Sequence, residues 1–290
     1  MKFRSIVSML LPGVMALAVS AQDVVQVKGS DTLVNLVQRL AEVYMEKNPG
    51  AAIAVTGGGS GVGIAALCAN KIAIADASRA MKEKEYIAAK ENGVVPVEIS
   101  IAIDGLCFIT SEAVNLKSLT KGQIGAIYRG EIKNWKEVGG PDMPVSLYGR
   151  QPSSGTYAFV QEEVMGNKNY TPKMKQMNGN AQIIEAVKAE KGGIGYVGVG
   201  YALENGKVAG GIKVLEVAKD AKSAPVSPLE PANVKSGKYP IARPLFQYIN
   251  GKPKGAVLDF VKFELSPEGQ KIVEEQGFYS IIGSNVKSGL

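Results

Sequence analysis

The chain has 290 residues, 46% of them hydrophobic and 21% charged, enough to bury a core as one large domain or two of moderate size. Its formal charge of +6 is spread along the chain without a stripe of basic and aromatic residues, which argues against a nucleic-acid binder. Histidine is absent, which removes Ser-His-Asp triads, histidine acid–base chemistry and histidine metal ligands and leaves lysine- or carboxylate-based catalysis open.

Residues 1–21 read as an export signal. Lys2 and Arg4 form a short basic region, the stretch 6–19 is apolar although Pro12 and Gly13 interrupt it, and Val19-Ser20-Ala21 offers small residues for cleavage before Gln22. The apolar stretch is too short for an ordinary membrane span. The alternative is a buried N-terminal strand or helix. No cysteine sits near the cleavage point, so a lipid anchor is not expected and the mature chain reads as soluble and extracytoplasmic.

A β-branched run over 24–28 predicts a strand ending at Gly29-Ser30. Helical spacing over 33–47 follows, with Leu33, Leu36, Val37, Leu40, Val43 and Tyr44 on one side, stopped by Asn48-Pro49-Gly50. A second strand over 51–56 leads through Gly57-Gly-Gly-Ser-Gly61 into a short helix over 62–69, and a third over 72–75 leads to Asp76-Ala-Ser-Arg79 and a helix over 82–92. Residues 94–103 are extended and end at Asp104-Gly105. This strand–turn–helix order predicts an α/β domain with a mainly parallel sheet.

A second unit begins with a strand over 106–110 and a helix capped by Thr120 and running to Tyr128. A strand over 145–149 delivers Arg150-Gln-Pro-Ser-Ser-Gly-Thr156, with a helix over 157–165 behind it. Residues 180–190 read as helix, 192–199 as a glycine-rich extended segment and 208–217 as strand. The stretch 219–240 reads as a long loop or crossover. A strand over 243–249, a helix over 256–265 and a helix opened by Ser266-Pro267-Glu268 complete the chain. Element order therefore predicts two α/β lobes with a cleft between them: lobe I from 22–103 and 244–290, lobe II from 104–243, with hinge crossings near 100–106 and 238–246. Two cysteines, Cys68 and Cys107, lie in apolar surroundings and are as compatible with buried thiols as with a disulfide.

Three glycine-serine turns precede helices, and ligands of such sheets bind beyond the strand C-termini. A helix N-terminus carries free N–H groups and a partial positive charge, which suits a small oxyanion. Arg150 is the strongest candidate, since its fork of donors fits phosphate oxygens; an ion pair between the lobes is its alternative. Ser154, Gly155 and Thr156 add hydroxyl and backbone donors, as do Thr32, Leu33 and Ser60, each otherwise a helix cap or helix start. Ser78 and Arg79 follow the third strand, Arg79 as a further cation or as a surface arginine. Asp31, Asp76 and Asp104 are braces or caps, unless one accepts a ligand proton and so distinguishes hydrogen phosphate from sulfate. Gly57–Gly63 lacks the Gly-Lys-Ser/Thr of a Walker loop.

The chain resembles the substrate-binding proteins of bacterial phosphate-uptake ABC transporters over nearly its whole mature length. The matching pieces include Lys28-Gly-Ser-Asp-Thr32, Gly57-Gly-Gly-Ser-Gly-Val-Gly63, Ala75-Asp-Ala-Ser-Arg-Ala-Met81, Ile103-Asp-Gly105, Ile127-Tyr-Arg-Gly-Glu-Ile132, Asn134-Trp135 and Arg150 to Thr156. The resemblance implies a two-lobed periplasmic binding protein fold, type II-like, enclosing one inorganic phosphate. It implies donors from Thr32, Leu33, Ser60, Arg150, Ser154, Gly155 and Thr156, a contact at Ser78-Arg79, a membrane permease as partner, and a monomer without metal or cofactor. In several relatives an aspartate stands where Arg79 stands, and another acidic position aligns with Pro152, so the resemblance leaves the proton acceptor among Asp76, Asp104 and Asp31, or with a backbone carbonyl. The alternatives are a receptor for sulfate or molybdate, a secreted phosphatase using Ser154 or Thr156, and an extracellular adhesion protein on this scaffold.

Overall fold

A computed structural model describes residues 24–290; the expected export signal lies outside the described residues. Strand β1 (Val25–Gly29) buries Val25 and Val27 on alternate positions, the period-2 pattern of a half-covered strand. Helix α1 (Val34–Lys47) buries Leu36, Val37, Leu40 and Ala41 as one stripe. Then come β2 (Ile53–Thr56), α2 (Ser60–Cys68), β3 (Ile74–Ala77), α3 (Glu83–Glu91) and β4 (Pro96–Gly105). The chain passes through Leu106 into β5 (Cys107–Ser111), then β6 (Ser118–Thr120) and α4 (Lys121–Arg129). Thr120 caps α4 reciprocally: its Oγ1 accepts from the Gln123 N–H at 3.1 Å, and its own N–H donates to Gln123 Oε1 at 2.8 Å.

Strand β7 (Ser146–Arg150) leads to α5 (Gly155–Phe159), β8 (Lys175–Met177), α6 (Asn180–Ala189) and β9 (Gly193–Val197). Four short strands follow: β10 (Leu203–Glu204), β11 (Lys207–Val208), β12 (Ile212–Val214) and β13 (Glu216–Ala218). After a short helix α7 (Pro231–Lys235), β14 (Ala242–Asn250), α8 (Gly255–Leu265) and α9 (Pro267–Glu275) end the fold.

Two five-stranded sheets result, in the orders β2-β1-β3-β14-β4 and β12-β5-β9-β7-β8. Both are mixed, yet four strands of each run one way and one opposes them, so the mainly parallel expectation holds with one reversed strand per sheet. Pairs β1/β2, β1/β3, β7/β8 and β7/β9 are parallel, but β14 runs antiparallel to β3 and β4, and β5 antiparallel to β9 and β12. Strand β14 enters the first sheet from the far end, after the chain has built the second, and so points the other way. Helices α1, α8 and α9 cover one face of the first sheet, where Tyr44 meets the rings of Phe260 and Phe263 at 5.5 and 5.4 Å. Helices α2 and α3 cover the other over Ile64, Leu67, Ala75, Ala77 and Tyr248.

Two local differences have physical reasons. The strand expected over 208–217 breaks into β11, β12 and β13 because Gly211, at φ +84°, turns the chain and the pieces pair with different strands: β12 with β5, β13 with β6. The helix expected over 157–165 starts two residues earlier, since Ser154 Oγ accepts from the Thr156 and Tyr157 N–H groups, and it widens to a π turn over Val160–Val164. Cys68 and Cys107 are buried free thiols; burial pushes the Cys107 thiol up, with the Asp104 charge adding to it.

Candidate functional site

Four turns converge where the two sheets face each other. Turn Gly29–Thr32 leaves β1, Gly57–Ser60 opens α2, Ser78 follows β3, and Arg150–Thr156 joins β7 to α5. Glycine makes the convergence possible. Gly29, at φ +147°, lies so close to β3 that a Cβ there would overlap the Asp76 carbonyl. Its own carbonyl accepts from the Gly59 N–H at 2.8 Å, and Ser30 N–H donates to Asp76 O at 2.9 Å, so three turns are pinned to one another.

The side chains meet as a cluster of hydroxyls. Thr32 Oγ1 and Thr156 Oγ1 lie 3.0 Å apart, Ser78 Oγ and Thr156 Oγ1 3.5 Å, and Ser60 Oγ and Ser78 Oγ 3.3 Å. Ser60 Oγ also accepts from the Ser78 N–H at 3.0 Å. All four residues are buried. Thr156 comes from the second sheet and the other three from the first, so the cluster exists only when the two are closely apposed. Gly155 stands against it: a Cβ there would overlap Ser60 Oγ and lie 2.7 Å from Ser78 Oγ. Ser154 lies beside the cluster as the cap of α5. The Leu33 N–H donates to Ser30 O at 3.0 Å, within its own turn.

Arg150, at 1% exposure, is held on three sides. Its Nε donates to Met177 O at 3.3 Å, its Nη2 to Asn178 O at 2.8 Å, and its Nη2 also pairs with Asp31 Oδ2. Among the described residues Nη1 is buried without a partner, a costly state for a charged donor. Asp31 Oδ1 in turn accepts from the Gly58 N–H at 2.7 Å. Arg79 does not join the hydroxyls. It forms a two-bond pair with Glu85 at 2.8 and 2.7 Å. Burial would raise the Glu85 carboxyl, but the bonds from Arg79 and the Lys82 N–H outweigh it and hold it below its usual value.

Of the three aspartates, Asp104 is fully buried and bonded to Arg243 and to the Val199 N–H at 2.9 Å. Asp76 faces the other way, behind β3, where Gln247 Nε2 donates to Asp76 Oδ1 at 3.2 Å and to Glu264 Oε1 at 3.0 Å. Burial pushes the Asp76 carboxyl up to about 7, with the Gln247 bond opposing, and pushes Glu264 well above its usual value, with the Asp76 charge adding to it. A carboxyl raised in the folded state keeps a proton that the unfolded chain has released. Its stability contribution is therefore whole below the unfolded value near 3.8 and drains away as pH rises towards about 7. The loss is on the order of a few kcal/mol. Asp76→Asn keeps an acceptor for Gln247 and removes this loss. The melting temperature of ligand-free Asp76→Asn is expected to exceed that of wild type increasingly between pH 5 and about 7, as thermal denaturation followed by circular dichroism would measure. Equal pH profiles would show that Asp76 does not carry the buried proton.

Sequence reasoning missed Arg243, Asn180, Tyr201 and Ser153. Asn180 Nδ2 and Tyr201 OH donate to Asp31 O at 3.3 and 2.8 Å, and Ser153 O accepts from the Gly61 N–H at 3.0 Å. Arg243 left one signal, a lone charge within an otherwise uncharged strand. The site holds cations, hydroxyls and amides, with every neighbouring carboxylate engaged in the protein. Among the described residues, no group of three or more Cys, Asp or Glu is placed to hold a metal, and no helix is long and apolar enough to cross a membrane.

A family model for the PBP superfamily domain matches residues 18–268. The phosphate-binding protein PstS of Pseudomonas aeruginosa is 30% identical over 267 residues, covering 86% of this chain and 80% of its own. That of Staphylococcus aureus strain USA300 is 32% identical over 268 residues, covering 90% and 80%. Among solved structures, the chain is similar to a proposed phosphate ABC transporter substrate-binding protein with bound phosphate from Clostridium perfringens, at TM-score 0.78 and 30% identity, covering 89% of this chain and 99% of that one. With its two mixed sheets in the type II periplasmic binding protein arrangement and a cluster of buried hydroxyls where they meet, the chain belongs to the PstS-like family of phosphate-binding proteins of ABC transporters.

Proposed function

We propose that the chain is a monomeric periplasmic receptor that binds inorganic phosphate with high affinity, closes round it and delivers it to the membrane permease of an ABC transporter. Its family consists of transport receptors rather than enzymes. Residues 1–21 direct export. Lobe I comprises 22–103 and 244–290, lobe II 104–243, and the chain crosses between them near 100–106 and 238–246. Thr32, Ser60, Ser78 and Thr156 give hydroxyl donors to the anion, Arg150 gives its guanidinium, and Gly155 lets the α5 backbone approach. Leu33 and Ser154 hold the turns, and Arg79 stiffens the Ser78 turn through Glu85.

The observation that carries this reading is the meeting of four buried hydroxyls from four turns on both sheets, beside an arginine with an unpartnered Nη1. Fixed neutral dipoles and one cation replace the hydration of a dianion without a large basic patch. One observation favours a second reading, a receptor for sulfate or molybdate: Asp31, Asp76 and Asp104 all have protein partners, which leaves the phosphate proton to a hydroxyl or carbonyl oxygen. Calorimetric titration of refolded, ligand-stripped protein with phosphate and sulfate at two pH values decides. One saturating site for phosphate and none for sulfate is expected; the reverse would overturn the phosphate reading.

A further inference from the structure

We propose that Arg243 is a positioning residue of the anion site, setting the direction of the Thr156 hydroxyl proton and holding helix α5 against the strands that join the two halves. The proposal rests on the anion-receptor reading. Arg243 and Asp104 are cross-strand partners in the β14/β4 register, at the points where the chain leaves and re-enters the first sheet. Arg243 Nε and Nη2 donate to Asp104 Oδ2 at 3.1 and 2.8 Å, and Nη1 donates to Ser78 O at 2.8 Å. That set already satisfies a buried ion pair. The guanidinium nevertheless makes a further bond to the other half: Nη2 donates to Thr156 Oγ1 at 2.9 Å, and the Phe159 ring of the same helix lies 5.0 Å from its centre.

The direction of that bond has a chemical consequence. A hydroxyl has one proton and two lone pairs, and an arginine can only donate. The Arg243 bond therefore occupies a lone pair of Thr156, and the Thr156 proton must point elsewhere. Its other polar neighbours are Thr32 Oγ1 at 3.0 Å and Ser78 Oγ at 3.5 Å, the groups that line the cleft. A charge-assisted bond to the oxygen also polarises the O–H and strengthens it as a donor. Thr156 is thus held as a donor to an acceptor-rich ligand. Ser60 is treated in the same way, since its oxygen accepts from the Ser78 N–H. Burial pulls the Arg243 guanidinium below its usual pKa while Asp104 opposes; an arginine remains a cation throughout.

The test is a thermodynamic cycle in phosphate affinity, measured by calorimetry on the full mature chain, with ligand-free melting temperatures alongside. Arg243→Met and Thr156→Val are each expected to weaken binding by roughly tenfold to a hundredfold, and the double variant no further than the weaker-binding single variant. Thr156→Ser, which keeps the hydroxyl, restores the full effect of Arg243→Met. A merely structural arginine would give losses that multiply regardless of the hydroxyl, and that result, or affinity within roughly twofold of wild type for Arg243→Met, overturns the proposal. If burying Asp104 unpaired prevents folding of Arg243→Met, Arg243→Lys keeps the charge and carries the same cycle, because one ammonium cannot replace the fork that reaches Asp104, Ser78 and Thr156 together. A wild-type chain that binds sulfate and not phosphate overturns the phosphate reading alone, and the cycle is then read with sulfate.

Discussion

Gly155→Ala is expected to weaken phosphate binding by roughly a hundredfold or more while the chain stays folded. In the closed arrangement a Cβ at Gly155 would overlap Ser60 Oγ and lie 2.7 Å from Ser78 Oγ and 2.9 Å from Ser60 Cβ. Ser60, the nearest of them, has little room to give way. Ser60 is fully buried at the start of α2, and its oxygen is tied to the Ser78 N–H. Apart, the two halves would tolerate the methyl group. Gly155 has no positive φ, and alanine is the better helix residue by about 1 kcal/mol. The clash therefore falls on closure alone. Overpacking of this kind costs about 1–3 kcal/mol or more. Each hydroxyl bond lost as the halves stand apart adds about 1 kcal/mol. The sum corresponds to roughly a hundredfold loss of affinity or more. Calorimetry measures the affinity, and small-angle scattering measures whether phosphate still contracts the molecule. Near-wild-type affinity with full contraction would show that α5 and α2 do not come this close around the ligand.

The contrast between Gly155 and Arg243 shows what was legible in the sequence and what was not. Thr32, Ser60 and Thr156 sit in or beside glycine-serine turns that each join a strand to a helix. Turn and cap chemistry is local, so each turn could be read from a handful of residues, and the structure sets all three at strand ends facing one another. The Ser154 cap could be read too, although its helix begins at Gly155 rather than Tyr157. Arg243 could not. Its partner Asp104 lies 139 residues away, and only the register of β14 against β4 joins them. Strand direction was hidden for a related reason: alternation of apolar residues is the same read either way, so β14 could be recognised as a strand but not as an antiparallel one. The aspartates were ambiguous because a carboxylate beside a turn looks alike whether it faces the cleft, as Asp31 does near Arg150, or lies behind the sheet, as Asp76 does beside Gln247 and Glu264.

Arg150 carries the second large effect, and the expected result separates its two roles. As an anion donor, it would offer the buried, unpartnered Nη1. As an inter-half tie, it would act through Nη2 on Asp31. Arg150→Met removes both, and the loss of a charged donor with its bonds is worth about 3–4 kcal/mol, roughly a hundredfold to a thousandfold in phosphate affinity. Asp31→Asn removes only the charge of the tie. It leaves the guanidinium anchored by Met177 O and Asn178 O and keeps an acceptor for the Gly58 N–H. Removing a carboxylate from beside an anion also relieves repulsion. Asp31→Asn is therefore expected to stay within roughly tenfold of wild type. Arg150→Lys should not rescue, since a lysine ammonium cannot hold two backbone carbonyls and an anion in one plane. Equal losses in Arg150→Met and Asp31→Asn would sink the donor role and leave Arg150 as a tie between the halves. A loss confined to Arg150, unrelieved by lysine, places its planar fork on the ligand, and the closed form then owes its stability to the anion more than to the ion pair.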